Sequence, residues 1–251
     1  MGIAQDLYDM TGRTAVVTGG GRGIGEGIAT VLADAGAGVV VAARRTEEIE
    51  RVAADIRAAG GKAVAVTTDV TDDDAVEALA RAAVDEFGSL DAWVNNAGGS
   101  PVRAPLTELD PAEWDNTMAL NLTAVYKCTL AAARHMETGS VINITSMASF
   151  VGVPGSGHYA AAKRAVNSLT ETFALELAPN IRVNGIAPGA VPTEIMMTAL
   201  GLDDESVQKL ANRIPLGRLG TPTDFGSAAL FLASDASSWM TGRTLPLAGG
   251  R

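Results

Sequence analysis

One cysteine, Cys128, two histidines and an aromatic content of only 4% are what this chain has least of. A lone cysteine closes no internal disulfide, and with His135 and His158 it forms no set of zinc ligands, so no metal site is expected. Basic side chains are also short in supply: 19 Lys and Arg face 29 Asp and Glu, a net charge of −10. Such a surface repels phosphate backbones and anionic bilayers, which argues against nucleic acid or membrane as partners. The most apolar stretch, Ala35 to Ala43, is closed off by Asp34 and Arg44 and falls far short of the ~20 residues a span needs. Asp6 and Asp9 interrupt the N-terminus where a secretory signal would be apolar. Together these absences predict a cytoplasmic protein.

What is present is apolar and regular. The 251 residues are 47% hydrophobic with 28 glycines, a length that α/β folds use as one unit, and no linker-like tract divides residues 1–251. Short β-branched runs alternate with longer amphipathic segments, the pattern of βαβ units around a parallel sheet. Strands are predicted near 14–18, 38–43, 62–67, 91–95, 140–145, 181–186 and 243–247. The runs AVVT, VVVAA and VINIT are continuously apolar, as expected of strands covered by helices on both faces. Asp110-Pro111-Ala112-Glu113 and Thr221-Pro222-Thr223-Asp224 each combine a cap residue, proline at the first helical position and an early acid, predicting helices near 111–136 and 222–234. The segment 194–212 breaks this rhythm. Its apolar residues, among them Met196, Met197, Leu200, Leu202, Val207 and Leu210, suit a substrate lid, with an ordinary packed insertion as the alternative.

Directly after the first strand stands TGGGRGIG, with Gly19, Gly23 and Gly25 spaced G-x-x-x-G-x-G. Glycines at a strand-to-helix turn allow positive φ and let backbone N–H groups approach a pyrophosphate at the helix N-terminus. The turn, including Gly21, Arg22 and Ile24, is therefore a candidate dinucleotide site. An acid some 20 residues on would read a free ribose 2′-hydroxyl. Here, 24 residues past Gly19, stands Ala43, followed by Arg44 and Arg45. Guanidinium groups bind phosphate through charge-assisted bonds, so NADP(H) is expected over NAD(H).

Tyr159 and Lys163 lie four residues apart, one above the other on a helix. A phenol with a pKa of about 10 is a poor base near neutrality. A positive charge about 4–5 Å away at an effective dielectric of about 20 contributes about 3–4 kcal/mol, which predicts a phenol titrating at about 7–8. Such a group donates a proton to a carbonyl or takes one from an alcohol. Ser146 ends the run VINIT, where a parallel sheet presents ligand-facing side chains, and can bond the reacting oxygen. A nucleophilic serine is disfavoured, because no G-x-S-x-G surrounds it. His158 reads as a surface or supporting group rather than a base.

TGGGRGIG, Asp69-Val70, Asn95-Asn96-Ala97-Gly98, Asn121, Ser146, Tyr159-x-x-x-Lys163 and Pro188-Gly189 followed by Thr193 together resemble the short-chain dehydrogenase/reductase superfamily, in order and spacing from Thr14 to Gly250. The resemblance implies a single doubly wound Rossmann-like domain with a seven-stranded parallel sheet. It also implies hydride transfer between a nicotinamide and the carbonyl or alcohol carbon of a small molecule. By position Tyr159 would be the acid/base, Lys163 would hold the nicotinamide ribose and lower the phenol pKa, Ser146 would orient the substrate, and Asn121 would support a relay water. Asp69 and Val70 would face the adenine, and Asn95, Ala97 and Gly98 the ribose. Pro188, Gly189, Val191 and Thr193 would line the nicotinamide, with Val191 and Thr193 on its carboxamide. Arg22 and Arg44 match positions linked with NADP preference, and a homotetramer is the family's habit. One departure is Leu247-Ala248 before the last Gly-Gly, where many members carry an acid.

Within the family, ITSMA, NNAGG and IRVNGIAPGA look like bacterial 7α-hydroxysteroid dehydrogenases, and the plan also resembles 3-oxoacyl-[acyl-carrier-protein] reductases. An acidic carrier protein sits poorly with a net charge of −10, and the apolar 194–212 segment favours a hydrophobic small molecule. A retired dehydrogenase serving as a nucleotide-binding scaffold is the non-enzyme alternative, and the intact Asn121, Ser146, Tyr159 and Lys163 argue against it.

Overall fold

The computed structural model describes residues 2–192, 197 and 203–250. Seven strands, β1 (Thr14–Thr18), β2 (Gly38–Ala43), β3 (Lys62–Thr67), β4 (Ala92–Asn95), β5 (Gly139–Ile144), β6 (Ile181–Pro188) and β7 (Thr244–Leu247), form one sheet in the order β3-β2-β1-β4-β5-β6-β7. Every pairing is parallel. The order reverses between β1 and β4, which opens a crevice at their carboxyl ends.

The continuous apolar runs are explained by two cores, one on each face. Val17, Val39 and Val41 pack with Ile28, Leu32, Ile49 and Phe225 on one side. Val16, Val40 and Trp93 pack with Leu79, Cys128 and Phe173 on the other. Neighbouring strand residues thus enter opposite cores, and a polar residue at either position would be stranded without water.

Nine α-helices stand among the described residues: α1 (Ile3–Tyr8), α2 (Gly23–Asp34), α3 (Thr46–Ala58), α4 (Asp73–Phe87), α5 (Pro111–Met118), α6 (Ala124–His135), α7 (Gly157–Glu176), α8 (Asp204–Ala211) and α9 (Pro222–Ala233). Both anticipated start signals operate. The Asp110 side chain accepts from Ala112 N, and Thr221 and Asp224 cap each other reciprocally ahead of α9. The helix expected over 111–136 is not continuous, however. Residues Ala119–Thr123 form a π-helical turn between α5 and α6, a distortion that places an extra residue in the turn and often marks a functional position.

Of the expected lid, residues 194–196 and 198–202 lie outside the described residues. Its later part is α8, whose Val207 and Leu210 pack against a small separate cluster of Ala211, Ile214 and Leu219.

Candidate active site

The sequence-derived candidates converge on the carboxyl edge of the sheet. Gly19, Gly21, Arg22, Gly23, Ile24 and Gly25 follow β1 or open α2; Arg44 and Arg45 follow β2; Asp69 and Val70 follow β3; Ala97 and Gly98 follow β4; Ser146 follows β5; and Gly189 and Val191 follow Pro188 at the end of β6. Thr193 lies outside the described residues.

The glycine turn requires its glycines. Gly19 and Gly23 have φ of +63° and +55°, and a Cβ on Gly25 would stand 2.2 Å from the Gly19 carbonyl oxygen. Arg22 caps α2 without a side-chain hydrogen bond to the helix, so the first amides of α2 remain for an anion. Asn96 holds the turn from β4, its Nδ2 donating to Thr18 O at 2.9 Å and Gly19 O at 3.0 Å. Arg51 braces it from α3 by donating to Gly21 O at 3.1 Å. Neither residue stood among the sequence-derived candidates. The asparagine was visible in the Asn95-Asn96-Ala97-Gly98 run, whereas nothing in the sequence around Arg51 signals its role.

Asn95 behaves differently from expectation. It is 3% exposed, and its side chain is used entirely inside the protein. It accepts from Trp93 Nε1 at 2.8 Å and donates to Thr129 Oγ1 and Asn143 Oδ1 at 3.1 and 2.9 Å. Strand alternation turns this amide into the core, so only its backbone remains for a ligand.

Beyond β2 and β3 the charges are close together and accessible. Arg45 Nη1 meets Glu48 Oε1 at 2.6 Å, and Arg22 Nε lies 3.9 Å from Glu48 Oε2. Asp69 accepts from Thr71 N and Oγ1, which together with nearby Arg44 keeps its carboxyl below the usual range.

At the other end polar groups are buried. Tyr159 and Lys163 share α7, with the Lys163 Nζ 5.8 Å from the phenol ring centroid. Lys163 is 3% exposed and donates to Ile144 O at 2.9 Å. Burial pushes its pKa down to about 8, since a charge with one carbonyl partner is costly out of water. Ser146 ends the β5 segment as the cap of a short 3₁₀ turn, accepting from Ala148 N at 3.1 Å. Its hydroxyl is near enough to the Tyr159 phenol to pull the phenol's pKa down. The tyrosine is not shifted downward overall, as its lysine neighbour alone would suggest: burial raises it above the ordinary phenol value, and Ser146 offsets this only in part. The same dry surroundings that would strengthen the lysine's field penalise both charged forms first.

Asn121 occupies the π-helical turn and is fully buried. It accepts from Gly99 N at 2.8 Å and donates to Gly99 O and Thr117 O at 3.0 and 3.1 Å. Any water it supports must therefore use its main chain. Gly98 fits between Asn121 and Lys163, where a Cβ would stand 2.8 Å from Asn121 Oδ1 and 3.2 Å from Lys163 Nζ. His158 is not a surface group but fully buried. Its Nε2 lies 2.9 Å from Ser100 Oγ, its Nδ1 has no hydrogen-bond partner among the described residues, and burial depresses its pKa. Cys128, pushed by burial to about 12, is an inert core thiol.

A cavity of about 540 Å³ is lined by Pro105, Leu106, Gly152, Val153, Pro154, Gly155 and Gly157. Five of these residues belong to the segment that connects Ser146 to Tyr159. Among the described residues no group of His, Cys, Asp and Glu is arranged to hold a metal, and no helix is long and apolar enough to cross a membrane.

A family model described as enoyl-(acyl carrier protein) reductase matches residues 19–251. The chain belongs to the short-chain dehydrogenase/reductase superfamily. Membership makes it an NAD(P)-dependent oxidoreductase of CH–OH groups. The cis-4-hydroxycyclohexanecarboxylate dehydrogenase of Sinomonas cyclohexanicum is 43% identical, over 95% of this chain and 96% of that protein. Two solved structures share the fold closely. A gluconate 5-dehydrogenase from Burkholderia cenocepacia J2315, in complex with NADP and tartrate, is 38% identical with a TM-score of 0.90, covering 98% of this chain and 97% of that one. A 7α-hydroxysteroid dehydrogenase with NADH and 7-oxo glycochenodeoxycholic acid is 36% identical with a TM-score of 0.92, covering 100% and 98%.

Proposed function

We propose that this superfamily member is an NADP(H)-dependent oxidoreductase for the carbonyl or secondary alcohol of a small hydrophobic substrate, with Tyr159 as acid/base. The observation that carries the reading is the Tyr159–Lys163 pair on α7, with the Lys163 Nζ 5.8 Å from the phenol ring centroid. The bound nicotinamide would supply or accept the hydride. The glycine turn and the start of α2 would hold the pyrophosphate, Arg22, Arg44 and Arg45 the 2′-phosphate, Asp69 and Val70 the adenine, and Ala97, Gly98, Lys163, Pro188, Gly189, Val191 and Thr193 the nicotinamide half.

In this reading Ser146 bonds the substrate oxygen, and Tyr159 delivers a proton to that oxygen in reduction or removes it in oxidation. Lys163 stabilises the phenolate as the proton leaves, and Asn121, fixed through Gly99 and Thr117, supports proton return through its main chain. The apolar cavity beside Gly157 suits a substrate of modest size. The reading includes a homotetramer in the cytoplasm, to which Tyr126 and Leu175, exposed on α6 and α7, would contribute apolar surface.

The test is a panel of cyclic, steroidal and aliphatic ketones with their alcohols, followed by nicotinamide absorbance with each cofactor. Turnover of at least one ketone, faster with NADPH than NADH, is expected. No turnover of any member with either cofactor sinks the reading.

A further inference from the structure

The cavity lined by Pro105, Leu106, residues 152–155 and Gly157 has apolar walls, and Arg103 stands against one of them. Arg103 stands two residues before Pro105 and is exposed. Its Nη2 donates to Pro154 O at 3.0 Å. A Cβ placed on Gly155 would lie 3.6 Å from the same nitrogen and 3.7 Å from Nε, so the guanidinium lies against the cavity's own lining. The two loops are stapled beneath it by Ala104 N donating to Gly155 O at 3.0 Å. No carboxylate among the described residues lies within ion-pair distance of Arg103, although the chain carries a net charge of −10. Arg13, Arg45, Arg51, Arg134 and Arg218 each meet an acid, while Arg44, Arg57, Arg81, Arg164, Arg182, Arg213 and Arg243 share with Arg103 the lack of an ion pair among the described residues; what sets Arg103 apart is its place at the cavity's lining. One of five N–H donors is used, and the planar fork that remains matches a carboxylate.

Building on the oxidoreductase reading, we propose that the substrate is a keto or hydroxy acid: an apolar body filling the cavity, its carbonyl or alcohol at Tyr159 and its carboxylate on Arg103. A guanidinium pinned by a backbone carbonyl has already lost much of its rotamer freedom, so less is lost on binding the anion. The placement at the rim leaves the charge partly in water, where a carboxylate need not be fully desolvated.

The experiment compares 4-oxocyclohexanecarboxylate with its methyl ester, the same ring with and without charge, in the NADPH-loaded wild type, Arg103→Gln and Arg103→Lys. Wild type should prefer the acid. Arg103→Gln should lower the acid-to-ester ratio of kcat/KM about tenfold or more, chiefly through KM, and Arg103→Lys should retain an intermediate preference. Equal use of both by wild type, or an unchanged ratio in Arg103→Gln, overturns the proposal. If wild type reduces neither compound, calorimetry with cyclohexanecarboxylate on the NADPH-loaded protein decides instead. Binding weakened about tenfold by Arg103→Gln supports the site, and equal or absent binding in wild type overturns it. Because binding is read without turnover, failure of the oxidoreductase reading and failure of the carboxylate site are told apart.

Discussion

Beyond β2, Arg45 and Glu48 meet at 2.6 Å near the surface, whereas at the other end of the sheet's carboxyl edge Lys163 is almost wholly out of water with Ile144 O as its acceptor. The first pair is screened and worth little by itself. The second sits where water cannot share the cost, so burial outweighs attraction and moves both Lys163 and Tyr159 toward their neutral forms. The same residue types thus keep their charges at one end and are pushed toward neutrality at the other, and the deciding variable is solvent.

The largest effect expected is at the dry end. Tyr159→Phe should lower kcat by about a thousandfold or more while cofactor affinity, read by NADPH fluorescence, changes little. Retained turnover would remove the phenol from the chemistry.

The next concerns Lys163, whose folded pKa of about 8 lies below its unfolded value. Between the two the unfolded chain binds more protons, so stability rises with pH. Denaturant unfolding of the free protein should show Lys163 contributing about 2 kcal/mol more at pH 9.5 than at pH 7.5, a gain missing from Lys163→Met. Parallel pH profiles for the two proteins would show that the lysine is better solvated than its position implies.

At the wet end, Ala43→Asp with Arg44→Ala should shift the NADP-to-NAD ratio of kcat/KM about tenfold or more toward NAD. The shift should shrink as salt is raised, and an unchanged ratio would mean that Arg44 lies away from the 2′-phosphate. Smallest is Glu48→Gln, which frees the cations that Glu48 engages and should tighten NADPH about twofold to fivefold at low ionic strength, fading in high salt. A salt-independent effect there would place Glu48 in contact with the nucleotide.

All seven strands were legible to within a residue or two, because a parallel sheet covered on both faces demands continuous apolar runs that no surface segment shows. The caps at Asp110 and Thr221 were equally local. Less legible was the interruption at Asn121, since nothing in Ala-Leu-Asn-Leu-Thr distinguishes a π-turn from a helix. The division of labour between Asn95 and Asn96 depended on strand phase, and the burial of His158 on how the 99–106 loop closes over α7. The phenol's pKa was mistaken in direction because a sequence supplies the neighbouring charge but not the loss of water around it.

By itself, then, the sequence determined the strand-and-helix order, the glycine turn and the Tyr159–Lys163 spacing, all of which rest on contacts within a few residues. Only the tertiary structure decided which polar groups face the crevice, which are locked in the core and how far each retains its charge. Those properties depend on burial, and burial belongs to the assembled sheet and its helices rather than to any one segment.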